Sequence, residues 1–128
     1  MPTITLKEKE LPGDFFAPPS PQQGDPWPVI ERVLEDDNGN PVGSFNIRGT
    51  FMKVDPPDDP LIAINKTYRI TGIANRQGTI CTQGVLRYSD LANPATIAII
   101  GGTDHFKNAR GTLTFIYATH TLVFDYSS

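Results

Sequence analysis

The chain has 128 residues, 38% of them hydrophobic and 20% charged, which suits one packed domain spanning 1–128 and leaves no room for a second. A formal net charge of −3 argues against nucleic acid as a partner, and the lone cysteine, Cys81, excludes an internal disulfide and a cysteine-based zinc site. No apolar run approaches the roughly 20 residues of a membrane span, and no basic start followed by an apolar stretch opens the chain, so a cytoplasmic domain without a membrane partner is expected.

Thr3 to Lys9 alternates with period two and predicts a first strand, with Ile4, Leu6 and Glu8 on one face. Between Leu11 and Pro28 the prolines at 12, 18, 19, 21, 26 and 28 predict a loop, with Phe15, Phe16 and Trp27 as its apolar anchors. Ile30 to Leu34 reads as a short strand ahead of the turn around Asn38-Gly39. Phe45, Ile47, Gly49 and Phe51 share a face in the next strand, and Ile62, Ile64, Lys66, Tyr68 and Ile70 form the following row. Thr79 to Tyr88, Ala95 to Ile100, Gly111 to Ala118 and His120 to Tyr126 complete the strands. Turn sequences separate them at Asp55–Pro60, Asn75–Gly78 and Ser89–Pro94. Seven or eight short antiparallel strands with hairpin turns predict a sandwich or a closed barrel.

The search for catalytic motifs is negative: the chain contains no GxSxG, P-loop, GxGxxG or HExxH. His105 and His120 stand alone, short of the three or four converging ligands a metal needs, and are expected on loops or the surface. Cys81, between Ile80 and Thr82, reads as a small buried hydrophobe. The aspartates at 36, 37, 55, 58 and 59 fall in turn sequences without calcium-loop spacing.

One segment is more specific. Ile97-Ala98-Ile99-Ile100-Gly101-Gly102-Thr103-Asp104-His105-Phe106-Lys107-Asn108-Ala109-Arg110-Gly111 resembles the strand–GGTG-x-F-x-x-A-R-G–strand motif of dirigent proteins and the related segment of allene oxide cyclases. Gly78 to Gly84 is similar to the G-x-L-x-x-Q-G strand of both families, and the likeness runs from about Val42 to Tyr126. The resemblance implies an all-β fold: an eight-stranded antiparallel calycin-like barrel of the allene oxide cyclase type. In physical terms the two glycines permit a tight turn, Phe106 can plug a barrel end, and Arg110 can bond turn carbonyls. Asp104 stands where the families usually have glycine and is expected to reshape the turn.

Site residues carry over less well. Allene oxide cyclases place a carboxylate on their first strand, matched here by Glu8, but their tyrosine after the Gln-Gly pair has only Val85 and Leu86 opposite it. Small bacterial polyketide cyclases of the same barrel are a third branch that the chain resembles. They imply a natural-product cyclase or isomerase that needs no metal or organic cofactor. Its substrate would be a hydrophobic linear small molecule, folded for stereoselective ring closure such as a cycloaddition. The alternative is a non-catalytic dirigent-like or lipocalin-like binder. The resemblance also implies a homo-oligomer, dimer or trimer.

If the apolar parity faces inward, Phe45, Ile47, Phe51, Ile64, Leu86, Leu113, Phe115 and Phe124 line the interior, and Trp27 anchors the proline-rich loop (12–28) across one mouth. Glu8 is the candidate acid–base or polarising group, and Tyr68, Tyr117 and Tyr126, of the same parity as the lining, are candidate hydrogen-bond donors. Such a barrel either holds a cavity or fills its interior with these same side chains, and the sequence fits both.

Overall fold

In the computed structural model, residues 3–9, 23–24, 26–53, 61–87, 89–90 and 94–127 are described, excepting the side chains of 26–31 and 117. Eight strands close an antiparallel barrel in sequence order: β1 (Thr3–Glu8), β2 (Pro26–Glu35), β3 (Pro41–Lys53), β4 (Leu61–Ile70), β5 (Gly78–Arg87), β6 (Ala95–Gly102), β7 (Arg110–Ile116) and β8 (Thr121–Ser127). Closure comes from β1 pairing with β8, Thr3 opposite Asp125 through Lys7 opposite Thr121, and with β2 at Lys7–Glu35 and Glu8–Leu34. The β1–β2 seam is the shortest of the ring, with two register pairs. No helix among the described residues is long and apolar enough to cross a membrane.

Period two in the sequence becomes inside and outside in the barrel. Ile4, Leu6 and Glu8 are buried while Thr3, Thr5 and Lys7 are exposed, and β4 buries Ile62, Lys66, Tyr68 and Ile70 between exposed Asn65, Thr67 and Arg69. The expected β7 runs two residues long, because Tyr117–Thr119 is a 3-10 turn and not strand. The proline-rich loop is also shorter than predicted. Pro26, Trp27 and Pro28 already belong to β2, whose register against β3 shifts between Trp27 and Ile30. A bulge there gives Pro28 a place that requires no ladder donor. Of the rest of that loop residues 23–24 are described, and the remainder, with Phe15 and Phe16, lies outside the described residues, as does the Asp55–Pro60 turn.

The two ends of the barrel differ. At one end the connections are 36–40, 71–77 and 103–109; at the other they are 9–25, 54–60, 88–94 and 117–120. The first end is sealed. A short 3-10 turn, Asp104–Phe106, inserts Phe106, which is 0% exposed, against Tyr126 with ring centroids 5.5 Å apart. The Arg110 guanidinium donates to the Ala109 carbonyl at 2.7 Å, and Phe106 N–H bonds Thr103 O at 2.9 Å. Gly102 is required here for close approach, since a Cβ would collide with the carbonyl oxygens of Thr79 and Phe106; its φ is not positive. The left-handed positions of this connection are instead Asp104, at φ 54, and Asn108, at φ 64, and the first explains why glycine suits that place in the resembling families.

Cys81 departs from its expectation. It lies on the outward parity of β5 and is half-buried, because Ile80 and Thr82 take the inward positions.

Candidate active site

Above the sealed end the core is aromatic. Phe45 stacks on Tyr68 at 5.6 Å, and Phe124 meets Tyr68 edge-on at 4.9 Å. Phe45, Ile47, Phe51, Leu86, Leu113, Phe115 and Phe124 are all buried in the interior, and Ile64 is partly buried against the same core.

Into this apolar interior the strands bring four buried polar side chains: Glu8, Arg32, Lys66 and Thr82. Each follows from parity. Glu8 continues the row of Ile4 and Leu6, Arg32 precedes Leu34 by two, and Lys66 stands between Ile64 and Tyr68. Lys66 Nζ lies 3.0 Å from Glu8 Oε1, an ion pair whose side chains are 5% and 8% exposed. The Tyr68 hydroxyl donates to the same oxygen at 3.4 Å, so the second carboxylate oxygen serves neither donor. The Lys66 ammonium also sits 4.2 Å above the centre of the Phe115 ring, a cation–π contact in a desolvated setting. Thr82 Oγ1 donates to the Lys66 carbonyl at 2.9 Å and holds that rung of β4 against β5.

Burial raises the Tyr68 phenol well above the ordinary tyrosine value of 10.0, and the nearby Glu8 carboxylate, with the hydrogen bond to it, pushes the same way. Tyr68 therefore keeps its proton and stays a hydrogen-bond donor to Glu8.

Glu8 is thus not a lone carboxylate among aromatics; it has an ammonium and a phenol on one oxygen. Of the two candidate tyrosines whose side chains are described, Tyr68 meets Glu8 and Tyr126 does not. Tyr126 lies at the sealed end, its hydroxyl 3.3 Å from His105 Nε2, away from the ion pair. Tyr117 begins the 3-10 turn at the opposite end, and its side chain, like that of Trp27, lies outside the described residues. His105 is exposed and His120 half-buried at φ 52, and among the described residues no group of three or more metal-ligating side chains converges. Sequence reasoning passed over Lys66 and Arg32, although each interrupts a row of inward apolar residues with a charge, a signal legible by parity alone.

Glu8 ends β1 and Lys66 stands midway along β4, so the polar group lies between the sealed aromatic end and the end with the longer connections.

No curated protein sequence matches the chain significantly. Eleven chains of solved structures do. One, a pyocyanin demethylase, is similar with a TM-score of 0.74 and 25% identity, over 98% of this chain and 99% of that one. The model of the allene oxide cyclase barrel like domain matches residues 5–127, nearly the whole described barrel, and the chain belongs to that family.

Proposed function

We propose that this barrel is an enzyme acting on a hydrophobic small molecule, which enters by the end with the long connections and is held against Glu8, Lys66 and Tyr68. The observation that carries this reading is the buried Lys66–Glu8 pair at 3.0 Å. A buried ion pair is a poor stabiliser, often no better than apolar residues of equal volume, whereas a paired acid and base in an apolar site is suited to chemistry. The finer reading is isomerisation or ring closure. The apolar walls fold the substrate toward a near-attack conformer, Lys66 and Tyr68 polarise an oxygen, and Glu8 relays a proton. The neighbour named a pyocyanin demethylase supports a second reading, removal of a methyl group from a small molecule.

Mass separates the readings. Compounds that raise the melting temperature, drawn from linear polyene ketones and planar aromatics, are incubated with the protein and followed by mass spectrometry. An isomer or cyclised product keeps the mass of its precursor; a demethylated product exchanges a methyl for a hydrogen. Binding without turnover would assign the barrel to the orienting binders, and absence of any binding would remove the reading altogether.

We also propose that copies of the chain associate through the outer wall of β5 to β8. Its outward positions Gln83, Val85, Thr96, Ala98, Ile100 and Val123 carry no charge, Asp125 opposite Thr112 lies toward the sealed end, and Val85 and Ile100 are 57% and 46% exposed. Light scattering on the wild type and on Val85→Glu tests this: a monomeric wild type overturns it.

A further inference from the structure

Of the five lysines, Lys7, Lys9, Lys53 and Lys107 are exposed, and only Lys66 is buried, at 4%. Its surroundings hold more than an ion pair requires. A carboxylate stands within hydrogen-bond reach of the amine, and that carboxylate is itself held by a third group, the Tyr68 hydroxyl. Nucleophile, base and orienting group in this order is the arrangement that activates covalent catalysts. We propose that Lys66 is a covalent catalytic amine that forms an imine with hydrophobic aldehydes or ketones. This deepens, and rests on, the small-molecule reading above.

The step balances without a co-reactant. The Lys66 ammonium passes a proton to Glu8, and the freed amine attacks the carbonyl carbon. As the C–N bond forms, the C=O π pair moves to oxygen, which takes the proton from Glu8. The nitrogen then returns one of its protons to Glu8. Glu8 delivers it to the hydroxyl, which leaves as water as the nitrogen lone pair forms the C=N bond. Net, an ammonium and a carbonyl become an iminium and water, and Glu8 ends as it began. Charge is conserved at the same nitrogen, so the features that hold the ammonium, the Glu8 carboxylate and the Phe115 face at 4.2 Å, hold the iminium as well. An iminium is an electron sink that lowers the barrier to isomerisation or ring closure of an attached chain, which is what the proposed chemistry needs.

The Tyr68 hydroxyl gives a positional check. It donates to the same carboxylate oxygen as the ammonium, so it keeps Glu8 in place when Lys66 swings toward a substrate. Residues of the same inward row, Ile62 and Ile64, lie between Lys66 and the start of β4, so the side chains next to the amine along that strand are apolar and suit an alkyl or aryl carbonyl compound.

The test uses the wild-type protein with octanal and sodium cyanoborohydride, which reduces an iminium to a stable secondary amine, followed by peptide mass mapping. Lys66 is expected to be alkylated faster than each of the four exposed lysines, and Glu8→Gln is expected to slow Lys66 on the order of 100-fold, the usual worth of positioned acid–base help, leaving the others unchanged. Exposed lysines modified while Lys66 stays untouched would overturn the proposal, and this arm needs no variant to fold. Octanol, which cannot form an imine, is tested in parallel by thermal shift. A shift with octanol but no label on Lys66 overturns the imine and leaves the small-molecule reading standing; no shift and no label remove both.

Discussion

The two ends of this barrel solve opposite problems with the same eight strands. At the sealed end every inward position is apolar or aromatic, and the connection between β6 and β7 folds back so that Phe106 closes the floor. Above that floor, between the two ends, the inward rows admit Glu8, Arg32 and Lys66, charges that are rare in a barrel interior. The contrast teaches that packing and buried charge are separated along the barrel axis: the apolar floor supplies the packing beneath an ion pair held out of water.

Phe106→Ala is the largest way to break that division. A wholly buried ring is lost from the floor, against Tyr126 and His105, and the expected cost is about 3–5 kcal/mol, read by denaturant unfolding. Binding of ligand by the surviving folded fraction is expected to be unchanged. A floor variant that lost ligand affinity in proportion to stability would show that the ends are not independent.

The polar group makes the reverse case. Lys66→Met leaves a buried carboxylate with one donor fewer and is expected to cost about 3–5 kcal/mol. Replacing Glu8, Lys66 and Tyr68 together, as Glu8→Leu with Lys66→Met and Tyr68→Phe, removes the three side chains that bond one another. This triple variant is expected to match or exceed wild-type stability, by about 1–4 kcal/mol at most, and to lose turnover. A triple variant less stable than the single one would mean that the ion pair is structural.

Tyr68→Phe is smaller and acts through pH. The lost hydrogen bond is long, 3.4 Å, and is expected to cost about 1 kcal/mol near neutrality. Because the folded phenol keeps its proton to a higher pH than the unfolded one, the unfolded chain is the first to ionise as pH passes the ordinary value of 10.0. Stability from this group is therefore whole below that pH and falls above it. Thermal melts of the wild type should decline more steeply above pH 10 than those of Tyr68→Phe, and parallel curves would refute the assignment.

Much of this was legible by parity. The inward rows of β1, β3 and β4 follow from the alternation of Ile4, Leu6 and Glu8, of Phe45, Ile47 and Phe51, and of Ile62 through Ile70, because a strand has only two faces. The start of β2 at Pro26 was not, since prolines read as loop until a bulge shows how a strand accommodates them. Nor was the Lys66–Glu8 pair: the partners are 58 positions apart, and only closure of the sheet brings β1 near β4 across the interior. Tyr126 shows the limit of parity from the other side. It faces inward as predicted, but height along the axis, which parity does not encode, puts it on the floor beside His105.

The smallest expected effect belongs to the sealed end and tests its turns one at a time. Asp36 follows β2, and its carboxylate accepts from the backbone N–H groups of Asn38 and Asn40 at 2.9 Å each and from the Asn40 side-chain amide at 3.3 Å. The bond from the Asn40 backbone is the largest cause of a carboxyl held below its ordinary value of 3.8, and partial desolvation opposes it. Because the folded group is the stronger acid, its contribution is present above that value and disappears as pH falls through the folded one. Asp36→Asn keeps an oxygen that can accept the same bonds but cannot titrate, so it should preserve the turn near neutrality and flatten the acid limb of the melting curve. Asp36→Ala removes the acceptor and should lower stability at both neutral and mildly acid pH. If Asn and Ala behaved alike at neutral pH, the side-chain bonds would have no part in holding β2 to β3, and the turn would rest on the Asp36–Asn40 and Gly39–Asp36 backbone bonds alone.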